Sequence, residues 1–146
     1  MGQSGVSVLK IIFLILLHLS LLNASSVAVE RDIYHAVFHA LFPDAQSIYI
    51  WTDDPKKADI FKSLSHIEIV TNPKHANLAV VYKTEDLPPN LIKFVGDYHL
   101  LKHYKNAIGG FYWQKGRPNL IFLKSSLQEY RLKLPPKFQK YVEDRL

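Results

Sequence analysis

The stretch Ala76 to Tyr82 reads ANLAVVY and is apolar on both faces of any strand it forms. Side chains alternate across a strand, so such a stretch needs cover on both sides. That requirement selects a central strand of a parallel sheet with helices above and below it. The neighbouring segments are suited to supply them. Glu30 to Leu41 places Ile33, Tyr34, Val37, Phe38 and Leu41 on one helical face, and Pro43 stops the helix. Ser47 to Trp51 (SIYIW) is short and β-prone, a strand. Asp54 then caps a helix with Pro55 in its first turn and Ile60, Phe61 and Leu64 facing inward.

Ile67 to Thr71 (IEIVT) predicts a second strand, Ala76 to Tyr82 a third, and Ile92 to Val95 a fourth after the loop Leu87-Pro88-Pro89-Asn90. Asp97 caps a short helix to Tyr104. Ile108 to Gln114 and Asn119 to Lys124 form a hairpin around Lys115-Gly116-Arg117-Pro118. Ser125 is expected to cap a helix to Tyr130, and a last helix is expected from Pro135-Pro136 to Asp144. Strands alternating with helices predict an α/β fold. Its sheet is mixed but mostly parallel, flanked by helices on both faces, with a C-terminal antiparallel hairpin.

The first residues do not fit that sheet. Lys10 precedes a twelve-residue apolar run, Ile11 to Leu22, and the small residues Ala24, Ser25 and Ser26 follow. Charge, apolar core and small-residue cleavage site form the order of a secretory signal. The run is shorter than the ~20 residues a spanning helix needs. The expectation is a signal peptide over 1–26 and a single globular domain over 27–146, exported and free of the membrane after cleavage. The chain has 146 residues and no cysteine, so an exported domain must stand on its core without disulfides. A hydrophobic content of 48% allows it. The glycosylation sequon Asn23-Ala24-Ser25 lies inside the signal, which favours a bacterial periplasm over an animal extracellular space. A formal net charge of +5 is mildly basic and argues for no nucleic-acid footprint.

Three constellations merit a chemical reading. His35 and His39, and again His99 and His103, have the i, i+4 spacing that puts two imidazoles on one helical face. A zinc site normally needs a third ligand, and neither pair carries the adjacent Glu of a metalloprotease helix. Both pairs are expected to be surface histidines, the first on the face opposite Ile33 and Val37. The second constellation is Phe111-Tyr112-Trp113 leading to Lys115, Gly116 and Arg117. Alternation puts Tyr112 opposite Phe111 and Trp113, so large rings stand on both faces of one strand. Aromatic rings with a cationic tip suit a partner or an anionic ligand. The third is Asp53-Asp54 at the carboxyl end of the first strand, where α/β sheets bind ligands. Asp54 is a helix cap on this reading, and Asp53 a pocket candidate. No serine stands in a nucleophile elbow, no glycine spacing makes a phosphate loop, and thiol catalysis lacks a cysteine. The expectation is no catalytic residue, no metal and no cofactor.

The order of segments resembles the YfiR-like family of small bacterial periplasmic proteins. The resemblance is carried by an aromatic helix ending at Phe42-Pro43, by Ile48-Tyr49-Ile50 leading into Asp53-Asp54-Pro55, and by the apolar strand Leu78 to Tyr82. The Gly109-Gly110 step into a hairpin and a closing helix after Leu132-Lys133-Leu134 complete it. Pro135-Pro136 and the tip Trp113 to Asn119 depart from the family's usual pattern. The resemblance implies a non-enzymatic regulator whose partner is the periplasmic part of an inner-membrane signalling protein such as a diguanylate cyclase. A small periplasmic solute-binding domain is the alternative. The surface expected to meet a partner or ligand comprises Phe111, Tyr112, Trp113, Lys115, Arg117 and Asp53.

Overall fold

A computed structural model describes Ile12 and residues 26–144. The apolar run and the small residues Ala24 and Ser25 lie outside the described residues, save Ile12. The chain divides into two units, 1–34 and 35–146. In the first, residues 26–34 are helical, with Glu30 and Tyr34 buried. Among the described residues, no helix is long and apolar enough to cross a membrane.

The second unit opens with helical residues 35–41 (α1). There follow β1 (Ile48–Thr52), α2 (Pro55–Lys62), β2 (Ile67–Ile69), a 3-10 turn (Pro73–His75), β3 (Leu78–Val81) and β4 (Lys93–Val95). Next come α3 (Tyr98–His103), β5 (Gly109–Gln114), β6 (Arg117–Leu123), α4 (Lys124–Glu129), a 3-10 segment (Pro136–Tyr141) and β7 (Val142–Glu143). The strands form one sheet in the order β2-β1-β3-β4-β5-β6-β7. Every pairing is parallel except β5 with β6. The fold is therefore α/β with a C-terminal antiparallel hairpin. The order reverses between β1 and β3, the switch point of a doubly wound sheet.

Register fixes which side chains share a face. Ile50 lies beside Leu78, Val80 beside Phe94, and Gly109 beside both Phe94 and Phe122. Ile48, Ile50, Leu78, Val80, Phe94, Phe111 and Phe122 thus line one face, each 0–2% exposed. Phe138 of the 3-10 segment meets Phe122 edge-on there, at a ring separation of 5.9 Å. The opposite face carries Ala79, Val81, Val95 and Leu123, covered by Leu100, Leu101 and Tyr104 of and after α3. Helical cover on both sides is what an all-apolar β3 demands, and all four of its residues are buried. A right-handed crossover from β1 to the parallel β2 places α2 on the side away from α3. There its Phe61 packs edge-on against Phe38 of α1 at 5.3 Å. Burying a phenylalanine stabilises by about 2–3 kcal/mol, so this pair anchors both helices.

Three expectations are corrected. Ser125 is not a helix cap: β6 runs straight into α4, whose cap position is Leu123 with no side-chain hydrogen bond. The last helix is instead a 3-10 segment followed by β7. Val142 takes an extended conformation and pairs with Phe122, so sheet pairing overrides the helical start that the prolines suggest. The hairpin turn has two residues, not four. Lys115 and Gly116 both have positive φ, 51° and 72°, the conformation of a type I′ turn that matches strand twist. Arg117 and Pro118 are already strand, paired with Gln114 and Trp113. Pro118 is tolerated because the two-residue turn directs its nitrogen away from β5, and β7 reaches only Phe122 and Leu123.

Candidate functional site

The β5-β6 hairpin outgrows the sheet. β4 pairs with β5 only as far as Gly110, and β7 pairs with β6 only at Phe122 and Leu123. Among the described residues, 111–120 therefore form a two-stranded arm whose strand pairing is with itself. The arm continues from the carboxyl ends of the parallel strands, the edge at which doubly wound sheets place their ligands.

The arm is apolar at its root and polar at its tip. Phe111 is 2% exposed and belongs to the core, whereas Trp113 on the same face is 40% exposed. Their rings meet edge-on at 6.0 Å, so the buried ring orients the exposed one. Tyr112 points to the other face, half-buried, with its ring 5.5 Å from Tyr98 of α3. Burial, and then the neighbouring Tyr98, push the Tyr112 hydroxyl above its ordinary value of 10.0. Tyr98 is 39% exposed, and Lys102 holds its ammonium 5.5 Å from that ring. Lys115 and Arg117 are exposed at the tip. With Gln114 and Asn119 they line an open concavity of about 500 Å³. Asn119 Nδ2 donates to the Arg117 carbonyl at 3.0 Å, a bond within β6 on one side of that concavity. A second open groove of about 740 Å³ runs past Tyr98, Leu101, Lys102, Lys105, Leu123, Ser125 and Asp144.

The two aspartates sit at the switch point and serve separate backbone groups. Asp54 caps α2, with Oδ1 accepting from Lys56 N at 2.9 Å and Lys57 N at 3.4 Å. Asp53 bridges from the end of β1 to the end of β3. Its Oδ1 accepts from Tyr82 N at 2.9 Å and its Oδ2 from Lys83 N at 2.7 Å. The Tyr82 ring then lies against Gly96, where any Cβ would collide with it. Lys57 stands 5.4 Å over that ring. Tyr104 OH accepts from Glu85 N at 2.7 Å and donates to Glu85 O at 3.0 Å, which fixes the next loop. Side chains of the chain itself thus occupy the crevice where a doubly wound sheet takes its ligand.

Of the residues expected from sequence, Trp113, Lys115 and Arg117 lie together on the arm's surface. Tyr112 is half-buried beside them, Phe111 is inside, and Asp53 lies just after β1 at the switch point. Tyr98 was not foreseen. It follows the Asp97 cap but falls outside the Leu100-Leu101-Tyr104 stripe, and that departure from the helical apolar period was the available signal. His99 and His103 are exposed. Among the described residues, no three His, Cys, Asp or Glu side chains stand ready as a metal-ligand set. One buried ammonium stands out: Lys93, 3% exposed, donates to the carbonyls of Leu91 at 2.9 Å and Pro88 at 3.2 Å. Burial pulls it below its ordinary value of 10.5.

No protein-family model matches the chain, and no curated protein matches it significantly.

Proposed function

We propose that the chain is an exported, non-enzymatic interaction module of the periplasm, whose β5-β6 arm docks onto the periplasmic part of an inner-membrane signalling protein. Export rests on the charge, apolar run and small residues of the first 26 positions. The class of partner, a diguanylate cyclase or a relative of one, rests on the YfiR-like resemblance. The observation that carries docking is the arm. It reaches beyond its sheet neighbours with Trp113 about 40% exposed beside the similarly exposed Tyr98 of α3, and with Lys115 and Arg117 at its end. Aromatic rings and arginine dominate the energetics of protein interfaces. Tryptophan held by a buried ring loses little freedom on binding, which favours affinity.

The alternative, a solute-binding domain with its pocket at Asp53, has less support. Both Asp53 oxygens already accept backbone hydrogen bonds, and the Tyr82 ring fills the space against Gly96.

Site-specific photo-crosslinking tests the proposal. A photoreactive residue replaces Trp113 in one variant and Glu68 in another. Glu68 is exposed on β2, at the opposite end of the sheet. The expected result is one membrane-protein adduct from position 113 and none from 68. Equal labelling from both positions, or none from 113, counts against the arm.

A further inference from the structure

Charge is unevenly distributed along the chain. Residues 35–97 hold six Lys or Arg against eight Asp or Glu, whereas residues 98–144 hold nine against three. Such an asymmetry points the basic part at an anionic macromolecular surface. Topology keeps the two populations apart. The acidic part builds β2, β1, β3 and β4 at one end of the sheet, and the basic part builds α3 and then β5, β6 and β7 at the other. All nine cations are exposed. Lys124 has Asp144 as its partner at 3.1 Å, and the three carboxylates of the segment can pair at most three of the nine.

Part of this basic end forms one continuous strip. Lys102 and Lys105 line the groove beside Tyr98, with Lys102 Nζ 5.5 Å from the Tyr98 ring. Tyr98 lies 5.5 Å from Tyr112, across from α3 to β5. Tyr112 pairs with Asn119 and Gln114 with Arg117, so these four side chains share the face on which Tyr112 meets α3. Lys115 follows at the turn. The strip therefore runs Lys105, Lys102, Tyr98, Tyr112, Arg117, Lys115, on the face opposite Trp113. Two carboxylates stand nearby: Asp144 is held by Lys124, and Asp97 accepts from His99 N at 2.7 Å.

We propose that this strip holds the domain against a bilayer of anionic phospholipids, by surface attachment without an inserted segment. Attachment presupposes the exported reading, which puts a membrane within reach, and adds to the docking of the arm a second ligand, lipid. Residue type favours a bilayer over an acidic protein. Seven of the nine cations are lysine, a residue depleted at protein interfaces. Lysine stems beside tyrosine rings, with the ammonium groups reaching outward, are the composition of the membrane–water interface. Headgroups also move laterally, so they can meet cations spread along an open strip, each of which gains from the negative surface potential.

Co-sedimentation with vesicles tests the strip on the protein purified from the exported fraction. One set of vesicles is phosphatidylcholine, and the other includes about 30% phosphatidylglycerol to give a negative surface. Binding to the anionic set should be about tenfold tighter or more, and about 0.5 M salt should remove the difference. Any apolar binding by residues 11–22 is common to both sets. Lys102→Glu with Lys105→Glu should weaken anionic binding about tenfold or more. Lys56→Glu with Lys74→Glu makes the same charge change at the other end of the sheet and should alter it by less than about twofold. Equal binding to both vesicle sets overturns lipid attachment, and so does an equal loss in the two double variants. Binding to neither set, with capture by native membranes still lost in Lys102→Glu, Lys105→Glu, also overturns it and assigns the strip to an acidic protein. If that variant fails to fold, hydrogen exchange of the wild type decides. Anionic vesicles should slow exchange over 98–105 and 112–117 more than over 56–62. Equal or greater slowing over 56–62, or none anywhere, contradicts attachment. The vesicles contain no protein, so failure here leaves docking of the arm to its own crosslinking test.

Discussion

The Asp53 carboxylate and the Tyr82 backbone N–H, 2.9 Å apart, close the switch point between β1 and β3. The second carboxylate oxygen takes Lys83 N at 2.7 Å, so one side chain terminates two strands. Hydrogen bonds to a charged acceptor are worth about 1.5–3 kcal/mol each, less where water competes. Asp53→Ala is expected to lower stability by about 2 kcal/mol in chemical denaturation. Asp53→Asn keeps one acceptor oxygen and falls between. A midpoint unmoved in Asp53→Ala would mean that the bridge is idle and the carboxylate free for a ligand.

Lys93 predicts a pH dependence. Below its lowered value, the ammonium is charged in both folded and unfolded states, and the full cost of burying it is present. Between that value and the ordinary 10.5, the folded protein has lost the proton while the unfolded chain keeps it. Unfolding then takes up a proton, so stability rises with pH through this window. Lys93→Met has no such group. Urea midpoints from neutral to alkaline pH should show the wild type gaining on Lys93→Met as pH climbs towards 10.5. A constant difference across the range would contradict a depressed Lys93.

The hairpin turn offers a gain. Lys115 sits at φ 51°, where a non-glycine residue other than Asn or Asp is strained. Asn-Gly is the favoured pair for this turn. Lys115→Asn is expected to raise stability by about 1 kcal/mol, read as a higher melting temperature. A lower one would place the turn in another class.

The C-terminal segment is held by Phe138, 5% exposed and edge-on to Phe122 at 5.9 Å. Phe138→Ala should cost about 3–5 kcal/mol, as removal of a core aromatic does. Loss of under about 1 kcal/mol would mean that 136–143 packs only loosely on the sheet.

Local pattern made the parallel half of the sheet legible. An apolar run such as Leu78 to Val81 can only be central, and Asp54-Pro55 and Asp97 announce their helices through their own side chains. β7 was not legible, because Val142 and Glu143 acquire strand geometry only from Phe122 and Leu123 beside them. Alternation put Tyr112 opposite Phe111 and Trp113. It could not say which face is core, nor that burial stops between Phe111 and Trp113. That boundary follows from β4 ending its pairing at Gly110. The role of Asp53 depends on Tyr82 and Lys83, which come alongside only when β3 docks.

Binding of native membranes by the double variant Lys115→Ala, Arg117→Ala tests the arm most directly. Both residues are exposed, and such substitutions usually cost under ~0.5 kcal/mol, so the melting temperature should stay within a few degrees of wild type. Capture of the membrane partner should weaken about tenfold or more, the effect of losing over ~1 kcal/mol at an interface hot spot. Unchanged capture by a folded double variant would contradict docking through the arm and move the binding surface elsewhere on the fold.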